Sequence, residues 1–277
     1  DVAEPFFLNL GMAEPHVTFE NPAQYNKMYA AFTKGPVVPI ESGAEGPKKQ
    51  NLISRGPGEY YANITFMDAQ LGRLLRWLNE EGLSENTIVI FISDNGPVTS
   101  DWFYWFELNA HGSTGGLRGR KHFLYEGGIR VPAMIRYPKL TRAGDLSNEI
   151  VVGMDLFVTL TKLAGGEVPS DRPIDGIDIS KALKGGTLPD RPITWALSAV
   201  SEIEFAVRRG KWKLLSDGNL QPMQLFNLAE DPLEFFNVIE ENPSVLKRLD
   251  KDLKKSVSSF SNDPYRPDTK TKFRFAQ

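Results

Sequence analysis

The run Thr87-Ile-Val-Ile-Phe-Ile-Ser93 is apolar and β-branched with no polar alternation, and it stops abruptly at Asp94-Asn95-Gly96-Pro97. Such a run reads as a strand covered on both faces, the usual condition in a parallel sheet. In sheets of that kind ligands bind beyond the carboxyl ends of the strands. Asp94 and Asn95 stand at that end, and Gly96 lets the chain turn sharply so that their oxygens face a common point. Two adjacent hard oxygen donors suggest a Ca²⁺ or Mg²⁺ site, although two ligands are too few to close one.

Around this strand the chain alternates between helical and strand-like periods. Phe6-Phe-Leu-Asn-Leu10, followed by Gly11, reads as a second central strand, and the turn through Pro15 carries His16 to the same sheet edge as Asp94. A lone histidine is more often structural than catalytic, and its place beside a strand end is what makes His16 a candidate. Residues 20–58 read as a long surface connection with a short helix near Tyr25–Phe32. Ile64, Met67, Leu71, Leu74, Leu75 and Leu78 then follow helical spacing up to Gly82.

Beyond the Asp94 turn, Trp102, Phe103, Tyr104, Trp105 and Phe106 suit either a sugar-stacking wall or a loop that buries itself. Arg118, Arg120, Lys121 and His122 put four potential cations within five residues. That cluster either binds an anion through charge-assisted hydrogen bonds or is simply solvated. Glu126, beside Gly127-Gly128, is expected to pair with Arg130 or another basic group in a structural role. A helical pattern runs from Val151 to Ala164 and ends at Gly165-Gly166. Short segments at Ile193–Leu197, Glu204–Arg208, Trp212–Leu215 and Gln224–Leu228 predict a small antiparallel sheet. Asn242 caps a final helix that carries Val245, Leu246, Leu249 and Leu253 on one face.

The expected fold is therefore α/β. A mostly parallel sheet flanked by helices spans residues 1–165, and a smaller antiparallel sheet plus helix spans 166–277. A net charge of −3 argues against binding nucleic acid through its phosphates. No apolar run approaches the ~18–20 residues that cross a bilayer. The chain contains no cysteine, so disulfides and thiolate metal sites are excluded. It enters a buried-strand pattern within five residues of Asp1, with neither an initiator Met nor a leader, as a chain entered mid-domain does.

The motifs, in order, resemble the formylglycine-dependent sulfatases of the alkaline-phosphatase superfamily, and among them the carbohydrate sulfatases. The resemblance rests on Pro5-Phe-Phe-Leu with Pro15-His16, on Asp68-Ala-Gln-Leu-Gly72, and on Asn86 through Pro97. Its most specific part is Gly115-Gly-Leu-Arg-Gly-Arg-Lys121 with Tyr125-Glu-Gly-Gly-Ile-Arg-Val-Pro132. It continues through Asp155-Leu-Phe, Asp175-Gly, Arg209-Gly-Lys-Trp-Lys213 and Leu225 to Pro232.

The resemblance implies an alkaline-phosphatase-like fold and hydrolysis of a sulfate ester, on a sulfated carbohydrate. It implies that Asp94 and Asn95 ligate an active-site divalent cation, usually calcium, and that Lys121 contacts the sulfate. His16 contacts the sulfate or the bridging oxygen and is a candidate to protonate the leaving alcohol. His111, Arg118 and Arg120 are expected substrate contacts, and export to the periplasm or beyond is implied as well.

One departure matters. The family's nucleophile, a formylglycine made within a Cys/Ser-x-Pro-x-Arg motif, has no counterpart here, because Ser54-Arg55 and Ser170-Asp-Arg-Pro173 do not fit the pattern. The family's paired amino-terminal aspartates and its earlier Lys and His are also missing. The expectation is that roughly the amino-terminal half of the same catalytic domain lies outside these residues, and that these residues alone are inactive. Two rivals stand beside this reading: a phosphodiesterase or phosphonate hydrolase of the same superfamily, and a non-catalytic half-domain that binds carbohydrate or a partner.

Overall fold

The structure is a computed structural model that describes residues 4–16, 21–32, 57–98, 111–197 and 201–261. The chain forms two compact units. One comprises residues 1–84 and 97–113, the other 85–96 and 114–277. Both sides of the expected boundary at 165/166 fall inside the second unit.

The first unit is built on α1 (Ala23–Met28) and α2 (Pro57–Glu80). Pro57 opens α2, where its missing N–H costs nothing. Gly82, at φ +67°, closes the helix, with the Leu83 N–H bonded to Leu78 O at 2.8 Å. The two helices are joined by polar and aromatic contacts. Asn63 is buried and donates to Asn21 Oδ1 at 2.9 Å, Asn21 donates to Glu59 O at 2.9 Å, and the Tyr25 ring tilts against Phe66.

Phe6–Leu10 corrects an expectation. The segment pairs with no strand among the described residues, and Phe7 is 82% exposed. An apolar sequence states a demand for burial, but only a neighbouring strand can turn that demand into a sheet.

In the second unit β1 (Val89–Ile92) is followed by α3 (Glu126–Ile129) and β2 (Ala133–Arg136). The two strands pair antiparallel, Val89 opposite Arg136 and Ile92 opposite Ala133. The parallel sheet expected from the apolar run is not found among the described residues. The run is apolar on both faces, which says that both faces favour cover but carries no information about a partner's direction. Ile92 and Met134 remain exposed.

Next come α4 (Met154–Leu163) and α5 (Ser180–Leu183). Asp155, fully buried in the first turn of α4, accepts the N–H groups of Val152 (3.0 Å) and Ile177 (2.9 Å) and pairs with Arg191. One carboxylate thus fixes the helix start and the loop that returns past it.

The expected meander is present with boundaries shifted by one or two residues: β3 (Ile193–Ala196), β4 (Phe205–Arg209), β5 (Trp212–Ser216) and β6 (Pro222–Asn227), antiparallel in that order. Period-2 alternation sorts the side chains onto two faces. Val207, Leu214 and Leu225 meet Leu249 and Leu253 of α6 (Pro243–Ser261). Ala206, Leu215 and Phe226 meet Leu124 and Tyr125, so the other face is covered by the segment leading into α3. Asn242 stands at the start of α6 as expected: its carbonyl accepts the Leu246 N–H (3.0 Å) while its side chain donates to Val238 O.

Leu249 is fully buried on the α6 side. Leu249→Ala is expected to lower unfolding free energy by about 2–5 kcal/mol, read from urea denaturation of the full chain. A loss below about 1 kcal/mol would show that α6 is not an integral layer of this fold.

Candidate functional site

The Asp94 turn and the Arg118–Lys121 loop are both built onto α3. The Gly96 N–H donates to Gly128 O at 2.9 Å, and a Cβ on Gly96 would stand 1.9 Å from Gly127 O. The Gly127 N–H donates to Arg118 O at 2.7 Å. A Cβ on Gly127 would meet Gly119 O at 2.2 Å and the Arg118 and Leu117 carbonyls at 2.7 Å. At Gly128 it would meet Phe123 O at 2.1 Å and Arg120 O at 2.4 Å. Glycine is required at all three positions because backbone packs directly on backbone.

Asp94 is exposed, and its Oδ1 accepts the Asn95 N–H at 2.9 Å, leaving further lone pairs on the carboxylate. Asn95 spends its amide nitrogen on Gly96 O (2.9 Å), which leaves Oδ1 as the ligating end. The pair therefore fits a hard cation. Among the described residues, however, no group of three or more His, Asp or Glu is arranged to hold a metal.

Arg118, Arg120 and Lys121 are half-buried on the loop. Arg118 is engaged structurally: its guanidinium lies 4.0 Å from the Tyr125 ring centroid and donates to Glu234 O at 2.7 Å. Tyr125 in turn donates to Gln224 Oε1 at 2.8 Å, and burial pushes its phenol above the ordinary value. His122 adopts φ +75°, and burial, helped by the neighbouring Lys121 charge, holds its pKa below the ordinary histidine value.

The other two expected residues lie in the first unit. His16 is exposed on a turn closed by its N–H to Ala13 O at 2.7 Å. His111 is half-buried, edge-on to Tyr60 at 6.3 Å between ring centroids. The structure thus gathers Asp94, Asn95, Arg118, Arg120 and Lys121 around α3, while His16 and His111 belong to the first unit. The aromatic segment Trp102–Phe106 lies outside the described residues. A cleft of about 320 Å³ beside Leu10 and Leu71 is apolar and holds none of the expected site residues.

Sequence reasoning missed what holds α3 in place. Glu126 does not pair with Arg130, which is exposed; it pairs with Lys213 (3.0 Å) and Arg208 (3.0 Å). Lys213 also pairs with Glu234 at 2.8 Å, and Glu234 Oε2 accepts the Glu126 N–H at 2.6 Å. Lys213 and Glu234 are fully buried, and Glu126 is 2% exposed. The available signals were a lysine set inside the apolar strand Trp212–Leu215 and an acid between Leu233 and Phe235.

Residues 1–166 match the family model of the sulfatases. The chain belongs to the sulfatase family. Residues 119–263 also match the model for N-sulphoglucosamine sulphohydrolase, C-terminal. A relative named N-acetylgalactosamine-6-O-sulfatase, from Bacteroides thetaiotaomicron, is 29% identical over 263 residues, covering 89% of this chain and 46% of that protein. The crystal structure of Ps i-CgsB is similar at a TM-score of 0.68 and 26% identity, across 92% of this chain and 49% of that one. BT4656, solved with its substrate D-glucosamine-2-N,6-O-disulfate, is similar at 0.59 and 29%, across 78% and 44%. This sulfatase chain spans about half the length of these relatives.

Burial raises the Glu234 carboxyl above the ordinary glutamate value, against the opposing pull of Lys213. A carboxyl whose folded pKa is raised contributes stability that is full below its unfolded pKa and is lost as pH rises through the folded one. The stability advantage of wild type over Glu234→Gln is therefore expected to shrink as pH rises through the mildly acidic range, followed by urea unfolding at several pH values. An advantage that grows over that range would contradict the burial argument.

Proposed function

We propose that the protein to which this chain contributes hydrolyses sulfate esters of a carbohydrate. The observation carrying this reading is that a strand-end Asp94-Asn95 pair and the Arg118–Lys121 loop share one support, α3, in a chain of the sulfatase family. The Bacteroides relative named for N-acetylgalactosamine 6-sulfate and the glucosamine disulfate bound to BT4656 support an amino-sugar or related saccharide as substrate.

Each residue has a role that follows from its chemistry. Asp94 Oδ and Asn95 Oδ1 would hold Ca²⁺, or Mg²⁺, with the remaining ligands supplied from outside this chain. A cation held there would supply charge that polarises the sulfate oxygens, and a formylglycine outside these residues would supply the attacking oxygen. Lys121 places its ammonium against the anionic group, where charge spreads as the ester bond lengthens. His16 would contact the sulfate or the bridging oxygen and donate a proton to the leaving alcohol oxygen. His111, Arg118 and Arg120 contact the sugar or its sulfate. Export from the cytoplasm goes with the same reading, and no helix among the described residues is long and apolar enough to cross a membrane.

The test uses the full-length protein with paired sulfate and phosphate esters. Turnover of the sulfate ester that is lost on chelation and restored by Ca²⁺ is expected, and preference for the phosphate ester would move the assignment to a phosphoester or phosphonate hydrolase. No turnover of either ester would leave the carbohydrate-binding half-domain. Lys121→Ala is expected to lower kcat by about 10²–10³-fold. His111→Ala is expected to raise KM on a polymeric substrate more than on a small aryl sulfate, and an equal effect on both would remove it from the sugar site.

A further inference from the structure

We propose that Lys213 and Glu234, acting through Glu126, are positioning residues that set the geometry of the anion-binding loop and of the Asp94-Asn95 turn together. The inference rests on the sulfatase reading above and deepens it. Neither Lys213 nor Glu234 lies on the loop or the turn, and both are fully buried.

The carbonyls of Leu117, Arg118, Gly119, Arg120 and Phe123 all close on Gly127 and Gly128. The turn carrying Asp94 and Asn95 is hung from the same pair by the Gly96 N–H. The position of α3 therefore determines the position of every site residue in this unit. Backbone hydrogen bonds within a four-residue helix cannot fix it in space. Beside the apolar packing of Leu124 and Tyr125 on the sheet, what orients it is Glu126, held at its N–H by Glu234 and at its carboxylate by Lys213 and Arg208.

Arg118 adds a second tie, because the backbone oxygen of Glu234 accepts its guanidinium. Lys213 and Arg208 come from β5 and β4, opposite one another in register, so the anchor is the sheet itself. A loop that contacts a small anion must be placed to a fraction of an ångström to bind it well. A buried ion cluster offers discrete, directional restraints that an apolar contact lacks.

The experiment compares Lys213→Met, Glu234→Gln and Lys213→Arg in the full-length protein with Leu249→Ala. Leu249→Ala destabilises the same sheet from its other face, away from the loop. For each variant, KM for a sulfate ester and the inhibition constant for inorganic sulfate are measured per folded molecule, beside Tm. Lys213→Met and Glu234→Gln are each expected to raise KM and weaken sulfate inhibition about tenfold or more. Lys213→Arg is expected to recover most of both, and Leu249→Ala to lower Tm with KM within about twofold of wild type. If the anchor variants lose Tm as Leu249→Ala does while KM and sulfate inhibition stay within about twofold of wild type, the positioning role is overturned. Should Lys213→Met not fold, Glu234→Gln, which keeps the charge on Lys213 and a similar side-chain volume, decides by the same criterion. Wild-type protein that neither hydrolyses sulfate esters nor binds sulfate overturns the sulfatase reading and this role with it.

Discussion

A single ammonium group, Lys213 Nζ, lies fully out of solvent between the carboxylates of Glu126 and Glu234. Removing one member of such a cluster leaves an uncompensated buried charge, which costs on the order of 3–5 kcal/mol. An apolar replacement of the whole cluster is often no less stable, so burial of these charges is explained better by geometry than by net stability. Here the geometry joins two layers. The face of β4–β6 opposite α6 is roofed by the Leu124–Ile129 segment, and the ion pairs fix where that roof sits.

From that anchor outward the second unit is built by close approach of backbone. The Gly127–Gly128 pair admits five loop carbonyls from one side and the Gly96 turn from another. Of the loop's basic residues, Arg118 is spent on the sheet side, and Arg120 and Lys121 are half-exposed. Arg118 divides its chemistry, since the same guanidinium that caps Tyr125 and bonds Glu234 O keeps N–H groups to spare.

Much of this was legible in the sequence, and the failures are instructive. The four-strand meander was readable because short apolar-rich segments recur at close spacing and the stretches between them carry Gly, Asp, Asn or Pro. The helix ending at Gly82 and the helix starting after Asn242 were readable for the same reason, although the Asn242 side chain bonds back to Val238 O rather than capping the helix. The direction of the strand at Val89 was not, because a run apolar on both faces looks the same whichever way its neighbour runs. Asp94, Asn95 and Lys121 could be picked out by type and by resemblance. Their common support could not, because it depends on contacts between Glu126 and residues 82 and 87 positions away. Lys213 carried a local hint, a charge inside an apolar strand, but local sequence does not say which acid will meet it.

The inward-facing carbonyls have a further consequence. Each peptide unit has a negative oxygen end and a positive N–H end, and the oxygen ends at Leu117, Arg118, Gly119, Arg120 and Phe123 are turned into the protein toward the α3 glycines. The backbone of this loop is polarised before any side chain is counted, with its electron-rich side used up in packing. Neutralising the basic side chains one at a time would therefore remove positive charge without turning a backbone oxygen outward, and a cation would find few oxygens there to coordinate it.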